Sequence, residues 1–532
     1  MAVALSARHQ DLAAIQAHCG MLFNSLQQPS EAADCLTRAY ELVPNDHGIQ
    51  FALLKVLVNL RRFAEALTIS SGLIAIDPTN IELLDRHVIC LANQNFLSEA
   101  ISFSKRRLLI SRNEAVILNH YGLLRRDDVC LAHDFLAEYS AEFPTLNIKR
   151  NLAESALYCD HLPETQVVQH HNQSALAFKK QFPRISLNSR NSRKIGVGFI
   201  SGDFREHAVD YFCRYLIENL RRSGFEVFVY STTDRPDSVT EQYAKLLNYR
   251  DFSPSTDFSK NLEIIKRDNL DLLIDLGGMS NSSRPDYVAC HPARKVISAI
   301  GYPMASPLAD QLGDAYADDG NNEVLLLDRP FLCYDYGAPL PPLPQDDRTG
   351  ILTFGSFNAS EKLTDTTFKL WAQALEDVGE CKLILKLNYS PGPRILRHIH
   401  ESFGSNITVE ILTSVASHAD HLRRIAAVDV ALDSFPYTGT TTTIECLLMG
   451  TPVVSLAGTN HRSRVSGSIL TATGHGDWIA NDPKEFAHIV QRLVQSRPSR
   501  PEVRDSLMNS PLMDTKDYAV KFGKLIKQLV DA

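Results

Sequence analysis

The chain has 532 residues, of which 44% are apolar and 22% are charged. That balance is typical of a folded globular protein and excludes wholesale disorder. The 54 Lys and Arg residues against 62 Asp and Glu give a net charge of −8, which argues against nucleic acid as the main partner because phosphate binding needs a concentrated basic surface.

The cysteines and the N-terminus indicate the compartment. Ten cysteines are scattered along the chain, with no Cys-x-x-Cys pair and no cysteine–histidine cluster at zinc spacing. We therefore expect reduced thiols in the core. The N-terminal residues MAVALSARHQDLAAIQ lack a basic region followed by an apolar stretch, and no run of about 18 apolar residues follows. These features predict a cytoplasmic protein that does not interact with a membrane.

The first third of the chain carries an internal repeat. The pair Glu-Ala recurs at intervals of 34 residues, at Glu31-Ala32, Glu65-Ala66 and Glu99-Ala100. Thirty-four residues is the tetratricopeptide (TPR) period, in which small residues let two helices approach closely. The pattern predicts helical repeats over 1–150, including a decayed copy at 132–147. Such repeats either form a groove for a protein partner or brace the next domain.

From about residue 190 the pattern changes to short apolar runs separated by segments of helical length. These runs are rich in β-branched residues, which is typical of buried parallel strands. They predict a helical linker over 151–190 and two Rossmann-like lobes, over 191–345 and 346–532. The sequence contains neither G-x-G-x-x-G with a following acidic residue nor a P-loop. We expect a ligand in the cleft where the strands of both lobes end.

The segment 432–458, LDSFPYTGTTTTIECLLMGTPVVSLAG, is the strongest chemical signal. A buried strand leads to Asp433, a turn and four threonines that open a helix. Gly439 allows the backbone to approach closely, and the helix start offers amide groups and partial positive charge. The segment is consistent with a phosphate-binding turn, although threonine runs also occur as ordinary helix caps.

This segment resembles the O-GlcNAc transferase / SPINDLY family of glycosyltransferases, and FPYTGTTTT is closer to the SPINDLY branch. The similarity extends from about 15 to 500. It implies a GT-B fold and an inverting, metal-independent transfer of a sugar to Ser or Thr hydroxyls of a protein. The donor would be UDP-GlcNAc, as in O-GlcNAc transferases, or GDP-fucose, as in SPINDLY enzymes.

The resemblance assigns donor-binding roles to residues in the second lobe. It places Lys362 on the diphosphate with Asn358 beside it, and it implies that His421 stacks on the base while Arg424 reaches the nucleotide. Glu445 would accept hydrogen bonds from the ribose. The remaining positions implied for the donor site are Gly439, Thr440, Thr441, Thr442, His461 and Arg464.

The segment FISGDFREHAVDYF (199–212) resembles the family's turn that carries a histidine. His207 is therefore the candidate general base, because histidine has a suitable pKa for accepting the acceptor's proton. A role in orienting or contacting the diphosphate is the alternative.

Two departures fall in the half that meets the acceptor. Met279 replaces a histidine common in relatives, and Gly301-Tyr302-Pro303 is not followed by the usual DYRxTD. The resemblance implies a protein acceptor bound by the repeats, with a homodimer left open. The alternatives are Asn, glycan or lipid-linked acceptors, or a scaffold whose transferase domain is weak.

Overall fold

The computed structural model describes residues 6, 9, 11–190, 194–246, 248–318, 324–344, 350–413 and 417–531. The chain divides into two compact units, residues 1–143 with 389–396, and residues 144–388 with 397–532. No helix among the described residues is long and apolar enough to cross a membrane.

The first unit consists of antiparallel helix pairs. Its helices are α1 (Ala13–Ser25), α2 (Pro29–Leu42), α3 (His47–Asn59), α4 (Phe63–Ile76), α5 (Ile81–Asn93), α6 (Leu97–Ile110), α7 (Glu114–Asp127) and α8 (Val129–Tyr139). The repeated alanines Ala32, Ala66 and Ala100 are fully buried. Small side chains are needed there because the two helices of a pair pack closely, as the 34-residue pattern predicts.

The turn inside each of the first three pairs repeats with the same period. Gln27, Arg61 and Asn95 have φ values of 57°, 59° and 64°. In each turn the amide of the next residue donates to a carbonyl of the preceding helix at 2.9 Å, as from Arg62 to Leu57. This is a Schellman motif, in which a left-handed residue satisfies the last carbonyls of a helix. The 34-residue period is therefore present in the backbone as well as in the sequence.

Two helices lead into the second unit, α9 (Leu146–Ala156) and α10 (Glu164–Gln181). A lobe with a parallel sheet follows, in the strand order β3-β2-β1-β4-β5-β6-β7. Its elements are β1 (Gly196–Ser201), α11 (Asp210–Arg222), β2 (Glu226–Ser231), α12 (Ser238–Ala244), β3 (Tyr249–Asp251), α13 (Phe258–Asp268), β4 (Leu272–Asp275), α14 (Pro285–Ala289), β5 (Lys295–Ser298), β6 (Asp310–Gly313) and β7 (Val324–Leu326).

The second lobe repeats this plan with strand order β10-β9-β8-β11-β12-β13. It contains β8 (Leu352–Ser356), α15 (Asp365–Leu375), β9 (Cys381–Lys386), α16 (Pro393–Ser402), β10 (Ile407–Leu412), α17 (His418–Ala426), β11 (Val430–Leu432), α18 (Thr441–Leu448), β12 (Val453–Leu456), α19 (Val465–Ala472), β13 (Ile479–Ala480), α20 (Pro483–Ser496), α21 (Arg500–Met508) and α22 (Thr515–Asp531). The predicted fold class, helical repeats followed by two Rossmann-like lobes, is confirmed.

The last helix returns to the first lobe. α22 packs against α11, and Tyr518 donates a hydrogen bond to the carbonyl of Phe331 at 2.7 Å. Gly523 of α22 faces the ring of Phe225, which precedes β2. The two lobes of this unit are therefore joined both by the linker between them and by the C-terminal helix.

Met279 is a core residue of the first lobe. Its side chain is 1% exposed, and the hydroxyl of Ser174 on α10 donates to its sulfur at 3.5 Å. Nearby, His171 and the hydroxyl of Tyr302 are joined at 2.8 Å. Methionine fills such irregular core space well, so position 279 belongs to a packed core.

Candidate functional site

The turn between β11 and α18 is organised by a buried carboxylate. Asp433 follows β11 and accepts hydrogen bonds from the Gly439 amide at 2.8 Å, the Asn358 side-chain amide at 3.1 Å and the Ser455 hydroxyl at 2.7 Å. Asn358 in turn accepts from the Thr442 hydroxyl at 2.9 Å. Since buried acceptors are stable only when paired, this network fixes the turn ahead of the helix.

The start of α18 lines a cavity of about 260 Å³ with Thr440, Thr441 and Thr442. No side chain among the described residues caps this helix, so its first amide groups remain available as donors. Gly439 does not line the cavity, but a β-carbon there would lie 2.4 Å from the Thr443 hydroxyl. Glycine is therefore required for the threonine turn to close.

Lys362 also lines this cavity. Its ammonium group donates to the carbonyl of Thr438 at 2.6 Å and lies 4.0 Å from the centre of the Tyr437 ring. Desolvation lowers the pKa of Lys362 to about 8, against the opposing effect of the Asp433 charge. The cavity thus holds a cation and helix amides together, an arrangement suited to an anion.

A second polar cluster surrounds Glu445 on α18. Its buried carboxylate accepts from His418 at 2.8 Å and from His421 at 3.1 Å. Burial raises the pKa of Glu445, but these hydrogen bonds outweigh burial and the net pKa is lowered. The other ring nitrogen of His421, Nδ1, is buried without a partner among the described residues. This group is available to a ligand.

Residues of the first lobe complete that cluster. The hydroxyl of Tyr211, on α11, lies 2.9 Å from the second ring nitrogen of His418. The hydrogen bond to Glu445 raises the pKa of His418. Tyr336 packs its ring against both Tyr211 and His418. The cluster therefore spans the cleft between the two lobes.

His207 lies between β1 and α11 and lines the same cavity as Lys362. Its Nδ1 accepts a hydrogen bond from the Val209 amide at 3.3 Å. Burial lowers the pKa of His207, ahead of the opposing charge of Asp203. The structure thus brings His207, Lys362 and the threonine turn together in one cavity.

His461 and Arg464 follow β12 and lie nearer the first lobe. Both line a larger cavity of about 870 Å³, and His461 also lines the smaller one. The guanidinium of Arg464 lies 4.9 Å from the centre of the Tyr316 ring. Arg464 therefore belongs to the larger cavity and does not line the smaller one.

Arg424 is separate from both cavities. It lies on α17 with an exposed side chain, and this side chain makes no hydrogen bond or ion pair within the part of the chain that the structure describes. The structure therefore does not bring it together with Glu445 and His421, although all three were assigned to the nucleotide.

Sequence reasoning did not identify several partners of these residues. His418 and Tyr211 at the Glu445 cluster, Tyr437 under Lys362, and Asp318 beside His461 were not assigned roles. His418 stands three residues before His421, one helical turn away, and that spacing could have indicated it. No comparable signal links Tyr211 or Asp318 to residues more than 100 positions away.

Comparison with known proteins places the chain in a family. The sequence profile described as glycosyl transferase family 41 matches residues 164–313 and 343–522, more than half of the chain. The probable UDP-N-acetylglucosamine–peptide N-acetylglucosaminyltransferase SPINDLY of Oryza sativa subsp. japonica is 29% identical over 405 residues, which cover 69% of this chain and 43% of that protein. Its counterpart in Arabidopsis thaliana is 30% identical over 353 residues, covering 62% of this chain and 38% of that protein.

The chain thus spans less than half the length of these curated relatives. Among solved structures, a mutant of the Thermobaculum terrenum O-GlcNAc transferase superposes with a TM-score of 0.68 at 20% identity, covering 98% of both chains. That likeness confirms the fold. The resemblance found in the threonine segment is also confirmed, and this chain belongs to glycosyl transferase family 41.

Proposed function

We propose that this chain is an inverting, metal-independent glycosyltransferase that moves a sugar from a nucleotide donor to Ser or Thr hydroxyls of a protein. The observation that carries the proposal is the cavity of about 260 Å³ that is lined by both Lys362 and the uncapped start of α18. Negative charge develops on the diphosphate as its bond to the sugar breaks. A fixed cation and backbone amides stabilise that charge most when they are already in place.

The Glu445 cluster would hold the nucleoside of the same donor. A buried carboxylate accepts hydrogen bonds from ribose hydroxyls, and the unpaired Nδ1 of His421 offers a further polar contact. Ribose is common to UDP and GDP, so these contacts suit both nucleotides. The names of the plant relatives support UDP-GlcNAc as the donor, and GDP-fucose is the alternative.

We further propose that the helical repeats of the first unit bind the protein acceptor. Stacked helix pairs present an extended surface suited to a peptide. A cytoplasmic location would fit the ten free cysteines, none of which forms a disulfide. The cavity shared by Lys362 and the threonine turn supports an active transferase over a scaffold.

The donor site is tested by calorimetric titration of the wild type with UDP, GDP, UDP-GlcNAc and GDP-fucose. We expect one nucleotide and the corresponding nucleotide sugar to bind, and we expect Lys362→Ala to weaken that binding at least tenfold. Lys369→Ala, which removes an exposed lysine on α15, is the control and should bind as the wild type does. If none of the four compounds binds, the proposed function is wrong.

Turnover is tested by nucleotide release with peptide acceptors, in the presence and absence of EDTA. Because Lys362 and the helix amides supply the charge stabilisation, we expect the rate to be unchanged by the chelator. A rate that falls on chelation and returns with a divalent cation would contradict the metal-independent mechanism. Transfer to glycan or Asn acceptors, but not to Ser or Thr, would show that the proposed acceptor class is wrong while the glycosyltransferase activity is right.

A further inference from the structure

The two cavities of the cleft meet at one histidine. His461 and Pro303 line both the cavity of about 260 Å³ and the neighbouring cavity of about 870 Å³. The smaller cavity holds Lys362 and the threonine turn, where the donor is proposed to bind. A group at their junction can therefore meet molecules in both.

His461 is held in a fixed orientation by a carboxylate from the other lobe. Its Nδ1 lies 2.9 Å from each oxygen of Asp318. Asp318 is 5% exposed, and one of its oxygens also accepts from the Asp314 amide at 3.3 Å. The ring of Phe331 packs against the imidazole with ring centres 4.9 Å apart. Because an ionised carboxylate can only accept, Nδ1 of His461 carries the hydrogen.

The hydrogen bonds of the two cleft histidines imply opposite tautomers. With hydrogen on Nδ1, the Nε2 of neutral His461 has a free lone pair and can accept a proton. His207 is the reverse case: its Nδ1 accepts from the Val209 amide, so its hydrogen is on Nε2. His207 can therefore donate a hydrogen bond to a phosphate or sugar oxygen, whereas His461 is ready to act as a base.

We propose that His461, oriented by Asp318, is the general base of the transfer; this inference rests on the proposed function. The acceptor oxygen forms its bond to the anomeric carbon of the sugar, and the bond from that carbon to the diphosphate oxygen breaks with its electron pair. The hydroxyl proton passes to Nε2 of His461. Asp318 balances the positive charge of the resulting imidazolium, and His207 holds the donor.

The larger cavity provides the path for the acceptor. Gln311 lines this cavity, is 2% exposed, and its side-chain oxygen is buried without a hydrogen-bond partner among the described residues. A buried carbonyl oxygen without a partner is costly, and the amide of an acceptor peptide would satisfy it. Asn172 of α10 lines the same space and supplies a second polar contact. The acceptor hydroxyl would thus reach His461 through the larger cavity.

The test compares His461→Ala, Asp318→Asn and His207→Ala in the whole protein. We expect His461→Ala to lower kcat by about 10²–10⁴-fold, the usual range for loss of a general base, a far larger effect than its effect on nucleotide affinity. Added imidazole should restore part of this rate, since it can replace an excised base but cannot repair a structural defect. For His207→Ala we expect weaker donor binding and no rescue by imidazole. His488→Ala, at an exposed position on α20, is the control for loss of a histidine.

Asp318→Asn keeps the shape of the side chain and tests the positioning role. It should lower kcat while leaving KM for the donor unchanged, and Asp318→Glu should recover more activity than the Asn variant. Full activity in His461→Ala, or imidazole rescue of His207→Ala alone, would overturn the assignment while leaving the proposed function intact. A wild type that binds nucleotide but transfers no sugar to any acceptor would refute the proposed function, and the assignment of His461 with it.

Discussion

The buried side chain of Glu445 orients the other residues of the proposed nucleoside subsite. Its carboxylate accepts from two histidines on α17, so it sets the direction of both rings. We expect Glu445→Gln to weaken nucleotide binding by about 10–100-fold, because a neutral amide loses charge-assisted hydrogen bonds of about 1.5–3 kcal/mol. Titration with UDP and GDP measures this effect.

The control for this prediction is inorganic pyrophosphate, which lacks the nucleoside. Its affinity should be the same in Glu445→Gln and in the wild type. Glu401→Gln, at an exposed position, should change the affinity for neither nucleotide nor pyrophosphate. Equal weakening of nucleotide and pyrophosphate would contradict the assignment of Glu445 to the nucleoside.

Gly439 is a position where a single methyl group should disrupt the site. In Gly439→Ala the added carbon would lie 2.4 Å from the Thr443 hydroxyl and 2.8 Å from that of Thr442. Relieving such overlap costs about 1–3 kcal/mol and moves the start of α18, so nucleotide affinity should fall about 5–150-fold. At Gly476 an added methyl group would have no atom within 4 Å. Gly476→Ala should therefore bind nucleotide normally, and equal effects of both changes would refute the prediction.

Among the residues of the site, those that lie in short motifs could be predicted from the sequence. Lys362, Asn358 and the threonines lie in segments that resemble the family, and the structure brings them to one cavity. Asp318 and His461 are 143 residues apart and belong to different lobes, so no spacing rule joins them. Arg424 lies on α17, whose buried residues are Leu422, Ile425 and Ala426, so its exposure follows from the helical period, whereas its distance from the nucleotide cavity depends on long-range packing.

Among the helical elements, the turns at Gln27, Arg61 and Asn95 carry a recurrent conformational cost. A side chain in the left-handed region costs about 1–2 kcal/mol, and glycine loses about 0.5–1 kcal/mol in added chain entropy. We therefore expect Arg61→Gly to stabilise the adjoining helices α3 and α4 by about 0.5–1 kcal/mol, seen as slower hydrogen exchange of their amides.

The matched control is Arg38→Gly, at an exposed position within α2. Glycine inside a helix destabilises it by about 1 kcal/mol, so exchange in α2 should become faster. Faster exchange around Arg61→Gly would show that the arginine side chain, rather than the backbone conformation, determines the stability of that turn.

The type of an element could be predicted from local periodicity, but its packing partner in the fold could not. The buried β-branched runs became parallel strands in both lobes, because their apolar faces are covered by helices. The helical period of α22 gives no indication of its partner. It lies in the segment assigned to the second lobe, yet Tyr518 bonds to Phe331 of the first.

For the whole molecule, two buried histidines predict sensitivity to acid. Burial lowers the pKa of His120, in the first unit, to about 4, and that of His171, in the second unit, also to about 4. The unfolded chain binds these protons near pH 6.5, so stability is full above that pH and is lost as the pH falls towards 4.

Each histidine contributes on the order of 3 kcal/mol across this range. Urea unfolding at pH 7, 6 and 5, followed by hydrogen exchange in each unit, measures the loss. We expect His120→Gln to flatten the pH dependence of the first unit and to leave that of the second unchanged. Stability that rises as the pH falls from 7 to 5 would have the wrong sign for buried neutral histidines.

Because α22 packs against the first lobe, this lobe cannot finish folding on the ribosome before α22 has been made. The surface that α22 covers includes Phe225 and the backbone at Phe331, which precede their α22 partners Gly523 and Tyr518 by about 300 and 190 residues. Until α22 has been synthesised and has emerged, the nascent first lobe presents this apolar surface to its surroundings, where unfinished domains are prone to aggregate. The first lobe begins folding early in translation and can be completed only after the last helix has emerged.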